Sequence, residues 1–380
     1  MKSIRAMLLL GLALICLSSC GNMTQPSTTA GEDDRPVFSD LVVAIHPRGD
    51  PLRTVNGSIL YGWDPFVIYD SGDSLFKMWY TIYRYKVLGI GYAESSDGIT
   101  WNLLIDDALP HVLTPTEGSW DRYGVETVSI LKKDGIYMMW YLGYPGDIEP
   151  GKPGRHNQIG LATSPDGIHW TKLPGPVLVA TQPWEDPYLQ TEIINGKPVT
   201  YENGGVQEPA VIWDEDERQY KMWYTGHTRD TVTYTYNGQK LTRAVRIRQT
   251  GYATSPDGIN WMKYAGNPIF RPMRETGWEE WFAVDHPAIL KDPRKGYHLF
   301  YFSWYSIGHA FSEDGVTWTR NAANPLLRYK QNADSTVVMY GGPCAFIKDS
   351  TLYLYYMRSI PGSKKWGEKG MCIGLATTRI

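Results

Sequence analysis

Three acidic side chains and one histidine return at equivalent places along the chain, and their types set the chemistry it could carry. The segments Trp63-Asp64-Pro65-Phe66-Val67, Val125-Glu126-Thr127-Val128-Ser129, Gln207-Glu208-Pro209-Ala210-Val211, Asp285-His286-Pro287-Ala288-Ile289 and Gly341-Gly342-Pro343-Cys344-Ala345 align on one position, which holds Asp64, Glu126, Glu208, His286 and Gly342. Proline follows it in all but the second segment, as suits the first residue of a strand whose missing N–H needs no ladder partner. If five such strands surround one axis, their side chains converge. Like charges crowded at a narrow opening repel, and at least one carboxyl is pushed toward its neutral form. A neutral acid beside an ionised one can protonate a leaving oxygen while its partner activates water or attacks carbon. The plainer alternative is a wet channel whose acids cap turns or bind solvent. Asp285, beside His286, takes the aligned position if the chain slips by one residue there.

The elements that must position these residues announce themselves as a repeat. The phrases Ile90-Gly91-Tyr92-Ala93, Ile159-Gly160-Leu161-Ala162, Thr250-Gly251-Tyr252-Ala253, Ile307-Gly308-His309-Ala310 and Ile373-Gly374-Leu375-Ala376 are five copies of one unit. Aromatic and β-branched runs such as Phe76-Lys77-Met78-Trp79-Tyr80 precede them, and no stretch keeps a helical period. Five four-stranded units read as an all-β, five-bladed β-propeller in a single domain, residues 37–380. Four copies run on into a Ser-x-Asp-Gly-x-x-Trp turn, and Asp97, Asp166, Asp257 and Asp314 in these turns read as turn formers on the face away from the acids. The long insertions, residues 143–158, 180–205, 226–249 and 359–370, fall on the same face as the acids. Residues offered for sugar contact at that rim are Trp63, Trp184, Arg155, His156, Gln207, His227, Arg229, Asp285, His286, Trp304 and Arg358.

A formal charge of −3 provides no basic field, which removes nucleic acid as a partner. With 15 Trp and 26 Tyr, more rings are present than blade packing needs, and the remainder can line a groove that stacks on sugars. Lys2, Arg5 and the apolar run from Ala6 to Leu17 read as an export signal, residues 1–19. Leu17-Ser18-Ser19-Cys20-Gly21 resembles the bacterial lipoprotein cleavage box. That resemblance implies lipidation of Cys20 and a place in the cell envelope, with membrane contact through the lipid anchor only. Residues 20–36 then form a flexible tether. Cys344 and Cys372 fall on the first and third strands of blade five, beyond disulfide reach, and are expected as free buried thiols. Because the fifth unit ends at its third strand, Val37 to Ile45 is expected to supply its outer strand.

Taken together, the propeller pattern and the acid positions resemble the five-bladed glycosidases, chiefly glycoside hydrolase family 43, more distantly family 32 and the mannoside phosphorylase group. The resemblance covers the chain from about residue 55 onward. It implies a carbohydrate substrate, with Asp64 as general base, Glu208 as general acid and Glu126 as the group that positions the sugar and tunes Glu208. It also implies inversion, and a water or calcium ion held near the axis by His286, although the acid–base chemistry itself requires no cofactor. Two departures stand out: family 43 places Asp-Pro where this chain has Glu126-Thr127, and family 32 places Asn before the first acid, where this chain has Trp63. The Ser-x-Asp-Gly turns resemble the Asp box of sialidases but are one residue shorter. Two other readings stay open, a glycoside phosphorylase needing two or three basic groups for phosphate, and a non-catalytic glycan-binding surface lipoprotein.

Overall fold

The computed structural model describes residues 46–47, 51–146, 156–186, 188–194, 197–236, 239–273, 276–279, 283–292, 296–364 and 370–379. The signal segment, Cys20, the tether, Val37 to Ile45 and Arg155 lie outside the described residues. Those described belong to one compact unit, Val37–Ile380.

Five sheets make five blades, antiparallel except that Arg53–Thr54 adds a fifth strand in parallel outside Thr100–Leu103 in blade one. In blade one the strands run Trp63–Asp70, Leu75–Arg84, Val87–Ser95 and Thr100–Leu103, from the innermost outward. Blade two has Gly124–Lys133, Ile136–Tyr144, Gln158–Ser164 and Thr171–Lys172, and blade three has Gly205–Asp214, Gln219–Tyr236, Gln239–Ser255 and Met262–Lys263. Asp285–Asp292, Gly296–Ser303, Ser306–Ser312 and Thr319–Arg320 make blade four. Blade five has Tyr340–Lys348, Thr351–Ser359 and Met371–Arg379, and its outer strand is His46–Pro47, paired with Ala376 and Thr377. A segment from the start of the chain therefore completes the last blade, at residues just beyond those expected. Each innermost strand touches the innermost strands of the blades on both sides, so the ring is closed.

The repeated glycine exists because rings pack against it. A Cβ on Gly160 would sit 2.5 Å from Tyr141 and 2.6 Å from Trp120, and on Gly308 2.5 Å from Trp278 and 2.6 Å from Tyr301. Those rings belong to a motif that precedes blades two, three and four: Trp120-Asp121, Trp184-Glu185 and Trp278-Glu279. Each Trp lies against the second-strand tyrosine of its blade, Tyr141, Tyr224 or Tyr301, with centroids 5.7–5.8 Å apart. The tyrosine hydroxyl donates to the buried acid next to that Trp. The acid is paired in turn with Lys172, Lys263 or Arg320 at the blade's outer edge. Trp184, offered from sequence as a rim residue, is thus a packing residue.

The Ser-x-Asp-Gly turns stitch neighbouring blades together. In the first, Ser95 Oγ accepts from the Gly98 N–H at 2.9 Å and Asp97 Oδ1 from the Ile99 and Thr100 N–H groups at 2.8 Å. The turn thereby presents a glycine carbonyl to the preceding blade. Trp79 Nε1 donates to Gly167 O at 2.8 Å, Trp140 to Gly258 at 2.9 Å, Trp223 to Gly315 at 2.7 Å, and the Tyr355 hydroxyl to Gly98 at 2.8 Å. At the joint between blades four and five the donor position is Phe300, whose side chain has no N–H or O–H to give. Cys344 and Cys372 are free and buried.

Candidate functional site

The innermost strands enter through the same irregularity. In each, pairing with the second strand breaks for one or two residues: between Trp63 and Phe66, Glu126 and Val128, Gln207 and Ala210, Asp285 and Ala288, and Gly341 and Cys344. At the break one residue takes a left-handed backbone: Asp64 (φ 46), Thr127 (φ 39), Glu208 (φ 56), His286 (φ 49) and Gly342 (φ 46). This conformation costs on the order of 1–3 kcal/mol at a non-glycine residue. It tips the side chain out of the strand's in–out alternation and toward the axis.

This geometry corrects one aligned position. Blade two has no proline after the break and is one residue shorter there, so Thr127 takes the axial place and Glu126 stands with Trp63, Gln207, Asp285 and Gly341 one residue earlier. The missing proline was the signal, since without it the alignment of that segment was free by one residue. Glu126 itself is held beside the ring. Its carboxylate accepts from Trp63 Nε1 at 2.6 Å and from the Tyr144 hydroxyl, and the charges acting most strongly on Glu208 are those of His286, Asp285 and Arg248.

At the axis, His286 lies between the two outer carboxylates. Its Nε2 is 3.3 Å from Asp64 Oδ1 and its Nδ1 is 3.2 Å from Glu208 Oε1. The Thr127 hydroxyl donates to Asp64 Oδ2 at 2.6 Å, and the Thr127 N–H is held by Thr81 Oγ1 at 3.1 Å. Glu208 Oε2 accepts from the His286 N–H at 2.8 Å, and Oε1 accepts from Gln207 Nε2 at 2.8 Å. Gln207 is fixed from behind by Asn157 Nδ2, 2.6 Å away. Gly342 closes the ring, and a Cβ there would lie 2.5 Å from Asp64 Oδ1. Glycine at this place leaves the Asp64 carboxylate its room.

Two groups in this ring titrate far from their ordinary range. Burial raises Glu208 to about 7; Asp285 adds to the rise, and the positive His286 and Arg248 oppose it. Burial alone would lower His286, but the Glu208 and Asp64 carboxylates overcome it and hold the imidazole well above its usual value. The two shifts depend on each other: an ionised Glu208 favours the protonated imidazole, and a protonated imidazole favours the ionised Glu208.

Among the described residues, Glu208, Asp285 and His286 each bring a donor atom within 4.8 Å of the others and are the group that could hold a metal ion. They do not fit calcium, which takes about six to eight oxygens. Asp285 is already paired with Arg248 Nη1 at 2.5 Å, and the imidazole faces carboxylates through both nitrogens. Arg248 and His286 place positive charge beside these carboxylates.

Above the ring opens a cavity of about 520 Å³, reached by Trp63, Asp64, Glu126, Glu208 and His286 together. Its walls differ. Asn157, Asn203, Gln207, His227 and Arg248 offer hydrogen-bonding groups on one side, and Phe302, Tyr305, Met357 and Met371 an apolar surface on the other. Burial, then Arg248 and Arg246, hold His227 well below its usual value, and its Nε2 lies 2.9 Å from the Tyr188 hydroxyl. Of the other sequence candidates, Arg229 donates to Leu189 O at 3.1 Å, Arg358 is buried in blade five opposite Tyr340, and His156 precedes Asn157 outside the lining. Trp304 stands exposed beside the mouth. Residues 226–249 are a continuation of two blade-three strands, paired out to Tyr236 and Gln239, rather than a loop. Thr127, Arg248, Phe302 and Tyr305 were not singled out from sequence. A second cavity, about 240 Å³, runs down the axis beneath the ring among Ile68, Ile130, Ile212, Ile289 and Cys344.

No family model matches the chain. Over 168 residues it is 31% identical to a 1,2-beta-oligomannan phosphorylase of Thermoanaerobacter sp. (strain X514), a match covering 41% of this chain and 49% of that protein. Over 129 residues it is 31% identical to a probable sucrose-6-phosphate hydrolase of Psychromonas ingrahamii, covering 33% and 22%. The chain thus spans about half the length of the first relative and about a fifth of the second. Among solved structures, a BT0996 RGII complex superposes with a TM-score of 0.60 at 19% identity, covering 90% of this chain and 94% of that protein. Zg3597, a family 117 glycoside hydrolase of Zobellia galactanivorans, superposes with a TM-score of 0.55 at 14% identity, covering 89% and 91%. At these identities the likeness to solved structures is one of fold, the propeller that glycoside hydrolases use.

Proposed function

We propose that the chain is a glycoside hydrolase in which Glu208 protonates the leaving oxygen and Asp64 activates the attacking water, in the manner of family 43. The observation that carries this reading is the bridge through His286: a carboxyl raised to about 7 and a second carboxylate face one imidazole from blades three and one. The imidazole stands between the two carboxyl groups, and a separation of ~6.5–9.5 Å, which leaves room for water, is the one that leads to inversion. Thr127 aims Asp64, the His286 N–H and Gln207 aim Glu208, and Glu126 with Trp63 borders the place where the sugar ring would sit.

Phosphorolysis is the second reading, favoured by the regional identity to the oligomannan phosphorylase. Holding phosphate takes converging basic groups. Among the described lining residues Arg248 is the one guanidinium, no lysine is present, and Arg248 is already paired with Asp285. Hydrolysis is therefore preferred. The test is a panel of aryl glycosides and manno-, xylo-, arabino- and fructo-oligosaccharides, assayed with and without inorganic phosphate, with the product anomer read by NMR. Phosphate-independent release of the inverted anomer is expected; strict phosphate dependence would select the second reading. We also propose that the protein is exported and held at the cell envelope by lipid on Cys20, so that Cys20→Ala moves it from the membrane fraction to the soluble one.

A further inference from the structure

Blade four carries a feature that the acid–base reading leaves unused. Its second and third strands are joined by the two-residue turn Trp304–Tyr305, across which Ser303 pairs with Ser306. Both turn residues are left-handed, with φ 44 and 54. A hairpin of this kind favours Asn-Gly, and two bulky rings in its place are held against a steric penalty. Strain of this sort tends to be kept where a site uses it.

The turn is fixed rather than loose. Tyr305 O accepts from the Tyr340 N–H at 2.9 Å, the Ser306 hydroxyl donates to Trp304 O at 3.2 Å, and that hydroxyl accepts from the Tyr329 N–H at 2.9 Å. It also continues an aromatic path that begins at the axis. The His286 and Phe302 centroids are 6.0 Å apart, Phe302 and Tyr305 6.2 Å, and Tyr305 and Trp304 6.3 Å. Phe302 and Tyr305 line the cavity that holds the acids, while Trp304, 48% exposed, stands beyond it. Blade one has a comparable left-handed turn at Tyr85–Lys86, but there the tyrosine hydroxyl is tied to Asp107 at 2.5 Å. Among the described residues the Trp304 indole N–H meets no such acceptor.

We propose that Trp304 and Tyr305 form a second sugar subsite, stacking on the apolar face of the ring next to the one being cleaved. The natural substrate is then an oligosaccharide chain that leaves the mouth over blade four. Flat rings with a polar edge suit this contact, since they cover the C–H face of a sugar and leave its hydroxyls in water. The inference rests on the glycosidase reading of the mouth, and its test separates the two.

The variant Trp304→Asn removes the ring with a residue the turn geometry favours, so loss of fold is not the confounder. The probes are nitrophenyl monoglycosides and linear manno-, xylo-, arabino- and fructo-oligosaccharides of two to five units, assayed for kcat/KM and by calorimetric binding. The kcat/KM of trisaccharide relative to nitrophenyl glycoside should fall about tenfold, mainly through KM, with oligosaccharide Kd weakened about tenfold. An unchanged ratio and Kd, or an equal fall on both substrate classes, overturns the subsite. If no glycoside is turned over yet oligosaccharide binding weakens in Trp304→Asn, the subsite stands and the hydrolase reading falls. If no oligosaccharide binds, both fall.

Discussion

The two faces of the propeller treat repetition in opposite ways. On the turn face, Ser-x-Asp-Gly recurs four times with the same bonds, and three indoles and one phenol reach the same glycine carbonyl in the next blade. On the mouth face the backbone repeats just as closely, with a left-handed residue at the same break in every innermost strand, yet the residues there are Asp, Thr, Glu, His and Gly. Where backbone and side chain repeat together, the contact serves every blade equally and the role is architectural. Where the backbone repeats and the side chain does not, five positions have been given separate tasks around one point. The strain of the left-handed slot is common to all five; the chemistry is not.

Experiments that cross the two faces sharpen this contrast. Gly342→Ala should have the largest effect on turnover. Its Cβ would fall 2.5 Å from Asp64 Oδ1, and displacement of a reacting group by about 1 Å costs on the order of a hundredfold, so kcat should drop that far, while alanine in the left-handed slot lowers stability by about 1–3 kcal/mol. The pH profile comes next. Glu208 must be protonated to act, and its value near 7 means that kcat/KM should fall about tenfold per pH unit above neutrality; a rate flat to pH 9 would remove Glu208 from the acid role. Thr127→Val keeps shape but loses the bond to Asp64 Oδ2. A bond of this kind contributes about 1 kcal/mol, so kcat should fall several-fold with KM held. Trp223→Phe, on the opposite face, should do the reverse. It removes the bond to Gly315 O and copies the natural Phe300, lowering stability by about 1 kcal/mol in urea titration and leaving kcat unchanged.

The sequence revealed the ring because its repeat is carried by residues that cannot vary: a glycine with an aromatic ring against it, and a turn that must donate and accept in fixed order. Asp64, Glu208 and His286 were legible for a related reason, since Pro65, Pro209 and Pro287 mark the break that turns each of them inward. Blade two has no such marker, and without it Glu126 and Thr127 are equally placed to stand at the break. The motif of Trp120-Asp121, Trp184-Glu185 and Trp278-Glu279 was missed as well, because its members are spaced by loops of different length and meet only through tyrosines on another strand. That is why Trp184 looked like a rim residue. The cavity walls were the least visible part. Arg248, Phe302 and Tyr305 lie on ordinary alternating strands or a short turn, and nothing in their local pattern says which face of which blade they border.

The central claim is that Asp64 and Glu208 divide base and acid roles across the axis, and leaving-group dependence tests it most directly. Glu208→Gln and Asp64→Asn should be compared on a phenyl glycoside, whose leaving group needs a proton, and on the matching dinitrophenyl glycoside, whose leaving group does not. Glu208→Gln is expected to lose about 10²–10⁴-fold on the first and little on the second, whereas Asp64→Asn loses activity on both. Equal losses of Glu208→Gln on the two substrates, or near-normal hydrolysis by either variant, would contradict the account.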